Sequence, residues 1–125
     1  MKEVIFKKCY KCGAMVQVEQ DCNCPGCGIQ CCGEEMHKLT PNSTDAAIEK
    51  HVPEYEVVGD KIKVHVNHVM DDDHYIAWIM LVTENKQCKV MLETGKEAVA
   101  EFPYIPGSTV YEYCNKHGLW KAEVK

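Results

Sequence analysis

Four histidines and one cysteine, spread over three distant segments, are the side chains best suited to bind a metal ion. They are His51, His68, His74, Cys114 and His117. The last two stand three residues apart, a spacing that metal sites use. If all five converge, four nitrogens and one sulfur exceed the four ligands of structural zinc. An octahedral metal such as iron would then keep one position open for a small ligand or substrate.

Two other interpretations of these residues remain open from spacing alone. His68 falls on the apolar face of a strand pattern, where a histidine is often a hydrogen-bonded core residue, because burying an unpaired polar group costs on the order of a few kcal/mol. Cys114 and His117 would also suit a blue-copper site, but that site uses an axial methionine, and no methionine follows His117. The missing methionine counts against copper. A small electron-transfer metalloprotein of the cupredoxin or rubredoxin type is the alternative function for the chain.

A second group of ligands lies near the start, where seven of the nine cysteines fall between residues 9 and 32. Four thiolates suit tetrahedral zinc or a single iron ion. One candidate set is Cys9, Cys12, Cys31 and Cys32. Because neighbouring side chains of a strand project oppositely, this set requires a turn at Cys31-Cys32. A rival set pairs two C-x2-C-G knuckles, Cys9 and Cys12 with Cys24 and Cys27, and from spacing alone it is the stronger motif. A metal-free thiol cluster is disfavoured, because so short a segment needs a cross-link to fold.

The composition of the chain excludes several classes of partner. Among 125 residues, 19 are acidic and 14 basic, for a net charge of −5. No basic block offers a footprint for nucleic acid. The start lacks the apolar stretch of an export signal, and no apolar run is long enough to cross a bilayer. We therefore expect a cytoplasmic protein without membrane association, whose clustered cysteines bind metal rather than form disulfides.

Short β-strands are the elements expected to position these residues. Period-two alternation and intervening turn residues predict strands at 55–58, 61–67, 75–83, 89–92, 98–102 and 109–113. A short ribbon is expected around Cys9 and Cys12, and one helical turn at 46–50. The segment 39–45 has the composition of a linker. The prediction is a mainly β chain, with a small metal domain over residues 1–38 and an antiparallel β-sandwich over residues 39–125.

Taken together and in this order, the motifs resemble desulfoferrodoxin, the two-iron superoxide reductase. The similarity covers nearly the whole chain. It is carried by Cys9-x2-Cys12 with Cys31-Cys32-Gly33, by Glu49-Lys50-His51-Val52-Pro53, by His68-x5-His74-Tyr75, and by Cys114-Asn115-x-His117-Gly118. The resemblance implies a desulforedoxin-like N-terminal domain and an immunoglobulin-like C-terminal sandwich of the neelaredoxin type.

The resemblance also implies a role for each matched residue. Iron, or zinc, would be held by Cys9, Cys12, Cys31 and Cys32. A square-pyramidal iron would take His51, His68, His74 and His117 in its plane and Cys114 as axial ligand. At its vacant position superoxide would gain one electron and two protons and leave as hydrogen peroxide. Glu49 would cap the oxidised iron, and Lys50 would attract the anion and organise proton delivery. A rubredoxin-like electron donor and a homodimer are implied as well.

Two features depart from the family pattern. Val69 stands where the family often has proline. Cys22, Cys24 and Cys27 lie in a segment that is usually shorter and lacks extra cysteines. We favour Cys31 and Cys32 over the Cys24 and Cys27 pairing, because the match along the whole chain outweighs one local knuckle.

Overall fold

The computed structural model describes residues 3–125, and nearly all of its regular structure is β-strand. The chain divides into two compact units, the first ending at Thr40 and the second beginning at Pro41. The mainly β fold predicted from the sequence is confirmed.

The first unit contains one three-stranded sheet and one short hairpin. Its strands are β1 (Ile5–Lys8), β2 (Met15–Val18), β3 (Gln30–Cys31), β4 (Glu34–Glu35) and β5 (His37–Lys38). The central strand β1 pairs antiparallel with β2 and β5, while β3 pairs with β4. Buried Phe6, Cys9 and Met36 form its interior. Residues 19–29 connect β2 to β3 through loops and turns.

The second unit begins with a single turn of 3₁₀ helix, Ile48–Lys50, followed by seven strands. These are β6 (Glu54–Val58), β7 (Lys61–His65), β8 (Ile76–Val82), β9 (Gln87–Met91), β10 (Val99–Pro103), β11 (Thr109–Cys114) and β12 (Gly118–Glu123). They form two antiparallel sheets, ordered β10-β7-β6 and β12-β11-β8-β9. Across residues 3–125, no helix has the length and apolar character needed to span a membrane.

One apolar cluster joins the two sheets of the second unit. In β7, Ile62 and Val64 are fully buried while the alternating residues Lys61, Lys63 and His65 are exposed, as period-two geometry requires. They belong to the same cluster as Ile79 of β8 and Val110 of β11, from the other sheet. Because both sheets bury their facing side chains in one core, they pack as the predicted sandwich.

The observed strands differ from the sequence prediction in two ways that matter for the site: one strand is shorter than predicted, and one strand was not predicted. The strand expected over 61–67 ends at His65, so His68 lies in the following loop. Strand β12 was not predicted, because adjacent Leu119 and Trp120 are both buried and break the alternation on which strand prediction depends. The helical turn expected at 46–50 is present as 3₁₀ helix over Ile48–Lys50.

Candidate metal centres

Five predicted ligands of the second unit converge, with their donor atoms all within 4.8 Å of one another. They are His51, His68, His74, Cys114 and His117. The first follows the 3₁₀ helix, the next two lie in the loop joining β7 to β8, Cys114 ends β11, and His117 occupies the turn before β12. Because β11 pairs with β8, the Cys114 turn and the His74 segment are brought side by side.

Neighbouring donor atoms are spaced as ligands of a single ion would be. His51 Nε2 lies 3.0 Å from His117 Nδ1, and His68 Nε2 lies 3.1 Å from His74 Nε2. Two nitrogens at a right angle, each about 2.1 Å from a metal, would be about 3.0 Å apart. Cys114 Sγ lies 3.5 Å from His68 Nε2 and 3.8 Å from His117 Nδ1. The cluster therefore fits one metal ion with four nitrogen ligands and one sulfur ligand.

Backbone carbonyls orient two of the imidazoles for metal binding. His51 Nδ1 lies 2.8 Å from the Ala47 carbonyl oxygen, and His68 Nδ1 lies 2.5 Å from that of Val69. An Nδ1 proton donated to a carbonyl leaves the Nε2 lone pair directed at the ion. In both residues Nε2 is the atom that faces the cluster.

Two residues that the sequence analysis did not single out as functional support the ligands. The Asn115 side chain accepts a hydrogen bond from Tyr75 N–H at 2.9 Å and donates one to the Asp73 carbonyl at 2.9 Å. It therefore ties the turn after Cys114 to the residues flanking His74. In the sequence, only the position of Asn115 inside the Cys-Asn-x-His motif pointed to this role.

Buried Trp120 provides the second support. Its ring stacks on that of His51, with centroids 5.0 Å apart, and its Nε1 donates to the His117 carbonyl at 3.0 Å. One aromatic side chain thus fixes the positions of ligands from two distant segments.

Burial favours the neutral, metal-binding form of three of the imidazoles. Loss of solvent lowers the pKa of His51, His68 and His74, and neighbouring imidazoles lower each pKa further. Burial raises the pKa of the Cys114 thiol, which is fully buried. A metal must displace that thiol proton, so metal binding releases a proton and strengthens as the pH rises.

A cavity of about 320 Å³ opens beside the imidazoles. Besides the four histidines, its lining residues are Ala46, Ala47, Lys50 and Val69. The exposed Lys50 brings a fixed positive charge to the rim, and Glu49 lies exposed one residue earlier on the same 3₁₀ turn. The cavity is large enough for a small anion, and the lysine favours one electrostatically.

Four cysteines of the first unit form a second cluster, with their sulfurs within 4.8 Å of one another. They are Cys9, Cys12, Cys31 and Cys32. The Cys12 and Cys31 sulfurs are 3.6 Å apart, and those of Cys31 and Cys32 are 4.0 Å apart. Sulfurs at the corners of a tetrahedron, each about 2.3 Å from a metal, would be about 3.8 Å apart. The cluster therefore fits a tetrahedral ion.

The turn that this ligand set requires is present at Cys32. Its φ is 53°, in the left-handed region, so the two adjacent side chains can face the same point. The backbone amide of Cys12 holds the pKa of Cys9 at about 7, while the neighbouring Cys12 and Cys9 sulfurs raise the pKa of Cys31 to about 12. The rival ligands Cys24 and Cys27 are instead bonded to each other as a disulfide.

Comparison with known proteins identifies the family. The desulfoferrodoxin family model matches residues 43–123. A desulfoferrodoxin from Syntrophotalea carbinolica is 43% identical over 121 residues, which cover 93% of this chain and 93% of that protein. The chain belongs to the desulfoferrodoxin family. The resemblance inferred from the order of the motifs is thereby confirmed.

Two further proteins are similar to this chain over nearly its whole length. The desulfoferrodoxin of Nitratidesulfovibrio vulgaris is 40% identical over 120 residues, covering 93% of each chain. The crystal structure of the superoxide reductase from Treponema pallidum matches with a TM-score of 0.72 and 28% identity, covering 98% of this chain and all of that one. The two clusters are consistent with the two iron centres of a desulfoferrodoxin.

Proposed function

We propose that this chain is a superoxide reductase, which converts superoxide to hydrogen peroxide with one electron and two protons. The observation that carries the proposal is the convergence of four imidazoles and one thiol beside an open cavity. Iron bound by these residues would supply the electron by passing from the ferrous to the ferric state. The similarity to the Treponema pallidum superoxide reductase, which extends over 98% of this chain, supports the same activity.

The protein ligands are suited to a one-electron change. The histidines bind as neutral groups, so in the reduced state the Cys114 thiolate is the one anionic ligand that we assign to the cluster. In haem enzymes a thiolate ligand raises the electron density at the iron, and Cys114 would do the same for an iron bound here. Burial around Cys114 excludes water from this sulfur and strengthens its electrostatic effect.

Local charge must attract the substrate, because superoxide is an anion and the chain carries a net charge of −5. We assign this role to Lys50, which lines the cavity and lies next to His51 in sequence. We also assign Lys50 the role of organising proton delivery to the reduced oxygen species. We assign Glu49, on the same turn, the role of closing the open side of the cluster after oxidation.

We also propose how the remaining parts of the chain contribute. Residues 1–38 would form a desulforedoxin-like domain with iron, or zinc, on its four cysteines, and residues 39–125 the superoxide reductase domain. A rubredoxin-like carrier would return the electron consumed in each cycle, and the chain would act as a homodimer. Similarity to a desulfoferrodoxin over 93% of this chain supports the two domain assignments. The clustered thiols favour a reducing compartment such as the cytoplasm.

Anaerobic purification with metal analysis, followed by rapid mixing with superoxide, tests the activity. We expect iron in the chain and stoichiometric peroxide without dioxygen. Dioxygen release would instead indicate dismutation. Copper in place of iron, or a reversible one-electron couple without consumption of superoxide, would favour the electron-carrier alternative.

A further inference from the structure

Three cysteines lie outside both metal clusters, in the segment between β2 and β3. Cys24 and Cys27 form a disulfide, and Cys22 is an exposed free thiol. The four-cysteine cluster is complete without them. Neither the proposed reduction of superoxide nor metal binding therefore uses these three sulfurs.

The local backbone brings Cys24 and Cys27 together without help from the disulfide. Pro25 and Gly26 occupy the centre of a turn that is closed by Cys27 N–H donating to the Cys24 carbonyl at 3.4 Å. Gly26 has a φ of 71°, which a type II turn requires at its third position, and proline is favoured at the second. The Cα atoms of the two cysteines are 5.6 Å apart, within the range of disulfides. The same turn therefore suits both the disulfide and the dithiol.

This disulfide is poorly placed to act as a structural staple. The stabilisation by a disulfide grows with the length of chain that it closes, and here only two residues separate the cysteines. Cys24 is also exposed, so a thiolate from solvent can reach its sulfur. Exposed disulfides are the ones that exchange readily with other thiols.

A third sulfur is held beside the pair. The Cys22 thiol donates to the Cys27 carbonyl oxygen at 3.1 Å. The preceding residue, Asp21, accepts a hydrogen bond from the Cys22 backbone N–H and forms an ion pair with Lys7 of β1 at 2.9 Å. Lys7 itself is 7% exposed. The loop is thus anchored to the sheet at the residue next to its free thiol.

We propose that Cys24 and Cys27 form a redox-active disulfide whose partner is a dithiol reductant. Cys22 is an internal exchanging thiol: its thiolate can attack Cys27 Sγ, which forms a Cys22–Cys27 disulfide and releases Cys24 as a thiolate that takes up the proton lost by Cys22. One thiolate of the reductant attacks Cys24 Sγ, the disulfide breaks, and Cys27 leaves as a thiolate that takes up a proton. The second thiolate of the reductant then attacks the mixed disulfide and releases reduced Cys24, which is protonated in turn. Two electrons and two protons pass to the chain, and the reductant becomes a disulfide. No metal takes part in this exchange.

Thiol labelling of the folded, metal-loaded chain tests the proposal. The chain is first oxidised with glutathione disulfide, then incubated with dithiothreitol, labelled with N-ethylmaleimide without denaturant, and analysed by tandem mass spectrometry. We expect labelling of Cys24 and Cys27 to rise at least tenfold after dithiothreitol and to fall again on reoxidation. Cys88, an exposed thiol of the second unit, provides the control, because glutathione disulfide can convert it only to a glutathione adduct of known added mass, whereas the oxidised Cys24–Cys27 pair should carry no adduct.

Two results would overturn the proposal. One is a pair that resists dithiothreitol in the folded chain yet is labelled after denaturation, which would make it a protected structural disulfide. The other is a pair that stays fully labelled in glutathione disulfide. If reduced glutathione at the same thiol concentration increased the labelling of Cys24 and Cys27 as much as dithiothreitol does, the assignment of a dithiol partner would be wrong. The disulfide would then react with thiols in general.

Two variants test the role of Cys22 and separate this site from the iron chemistry. In Cys24→Ser treated with glutathione disulfide, Cys27 first forms a mixed disulfide with glutathione, and attack by Cys22 then releases reduced glutathione. Internal exchange therefore predicts a Cys22–Cys27 disulfide, detected as the loss of two hydrogen masses. The double variant Cys22→Ser/Cys24→Ser should lack it, and its absence from the single variant would remove Cys22 from the mechanism. Both variants should reduce superoxide at the rate of the unmodified chain. Because labelling does not depend on that activity, failure of either proposal leaves the other testable.

Discussion

Replacing Asn115 by alanine removes two side-chain hydrogen bonds that join the turn after Cys114 to the segment carrying His74. The partners are the Tyr75 N–H and the Asp73 carbonyl, both at 2.9 Å. A backbone bond from Asn115 N–H to the Tyr75 carbonyl, at 3.2 Å, would remain. The variant thus loosens the connection between two ligand-bearing segments without removing a ligand.

The expected cost follows from the number of bonds that are lost. Each hydrogen bond contributes about 0.5–1.5 kcal/mol, so Asn115→Ala should lower the free energy of unfolding by about 1–3 kcal/mol. In a unit of this size each kcal/mol shifts the melting temperature by roughly 4–8 °C. Residues that orient metal ligands typically change metal affinity by about 10–100-fold. Because Asn115 acts on the segment rather than on an imidazole, we expect a loss near tenfold.

Calorimetry of the metal-free chain and chelator-induced loss of superoxide reduction measure these two effects. Asn115→Asp keeps the acceptor for Tyr75 N–H but loses the donor to Asp73, so it should lie between the alanine variant and the unmodified chain. Asn85→Ala, in the exposed turn between β8 and β9, is the matched control and should change little. If Asn115→Ala melts and loses iron as the unmodified chain does, the positioning role is refuted.

Three further substitutions probe the site and its surroundings. Lys50→Ala should slow the encounter with superoxide by about tenfold and flatten its dependence on ionic strength; an unchanged rate and salt slope would remove Lys50 from substrate attraction. Glu49→Ala should reduce superoxide at a near-normal rate but change the absorption spectrum of the oxidised protein, and identical oxidised spectra would count against its capping role. Burial raises the pKa of Glu112 to about 9, and neither of its carboxyl oxygens has a hydrogen-bond partner among the described residues. The folded state therefore favours the protonated form, so the metal-free chain loses stability as the pH rises from the ordinary carboxyl range toward 9, by up to about 1.4 kcal/mol per pH unit. Glu112→Gln should accordingly gain stability relative to the unmodified chain between about pH 5 and pH 8, and a difference that does not vary with pH would contradict this.

The ligands could be predicted from the sequence because most of them lie in short, recognisable spacings. Cys114 and His117 share one turn, and His68 and His74 flank another. His51 comes from a separate segment, and its convergence with His117 depends on tertiary packing, including the stack on Trp120. The order of motifs along the chain, rather than any single spacing, pointed to that convergence.

Other features could not be predicted from the sequence, because they depend on contacts between distant residues or on a single backbone angle. The partners of Asn115 lie 40 and 42 residues away, so its role is invisible without the pairing of β11 with β8. Adjacent Cys31 and Cys32 seemed poorly suited to one ion, and the positive φ of Cys32 resolves that objection. Cysteine clustering favoured metal thiolates throughout the N-terminal segment, yet Cys24 and Cys27 pair with each other, because Pro25-Gly26 forms a turn that places them together.

A crystal structure of the iron-loaded chain, reduced before data collection, tests the central claim most directly. We predict one iron bound by His51, His68, His74, His117 and Cys114, with a sixth position open toward the cavity that Lys50 lines. Iron without the Cys114 sulfur among its ligands, or a protein group occupying the sixth position in the reduced state, would contradict the account.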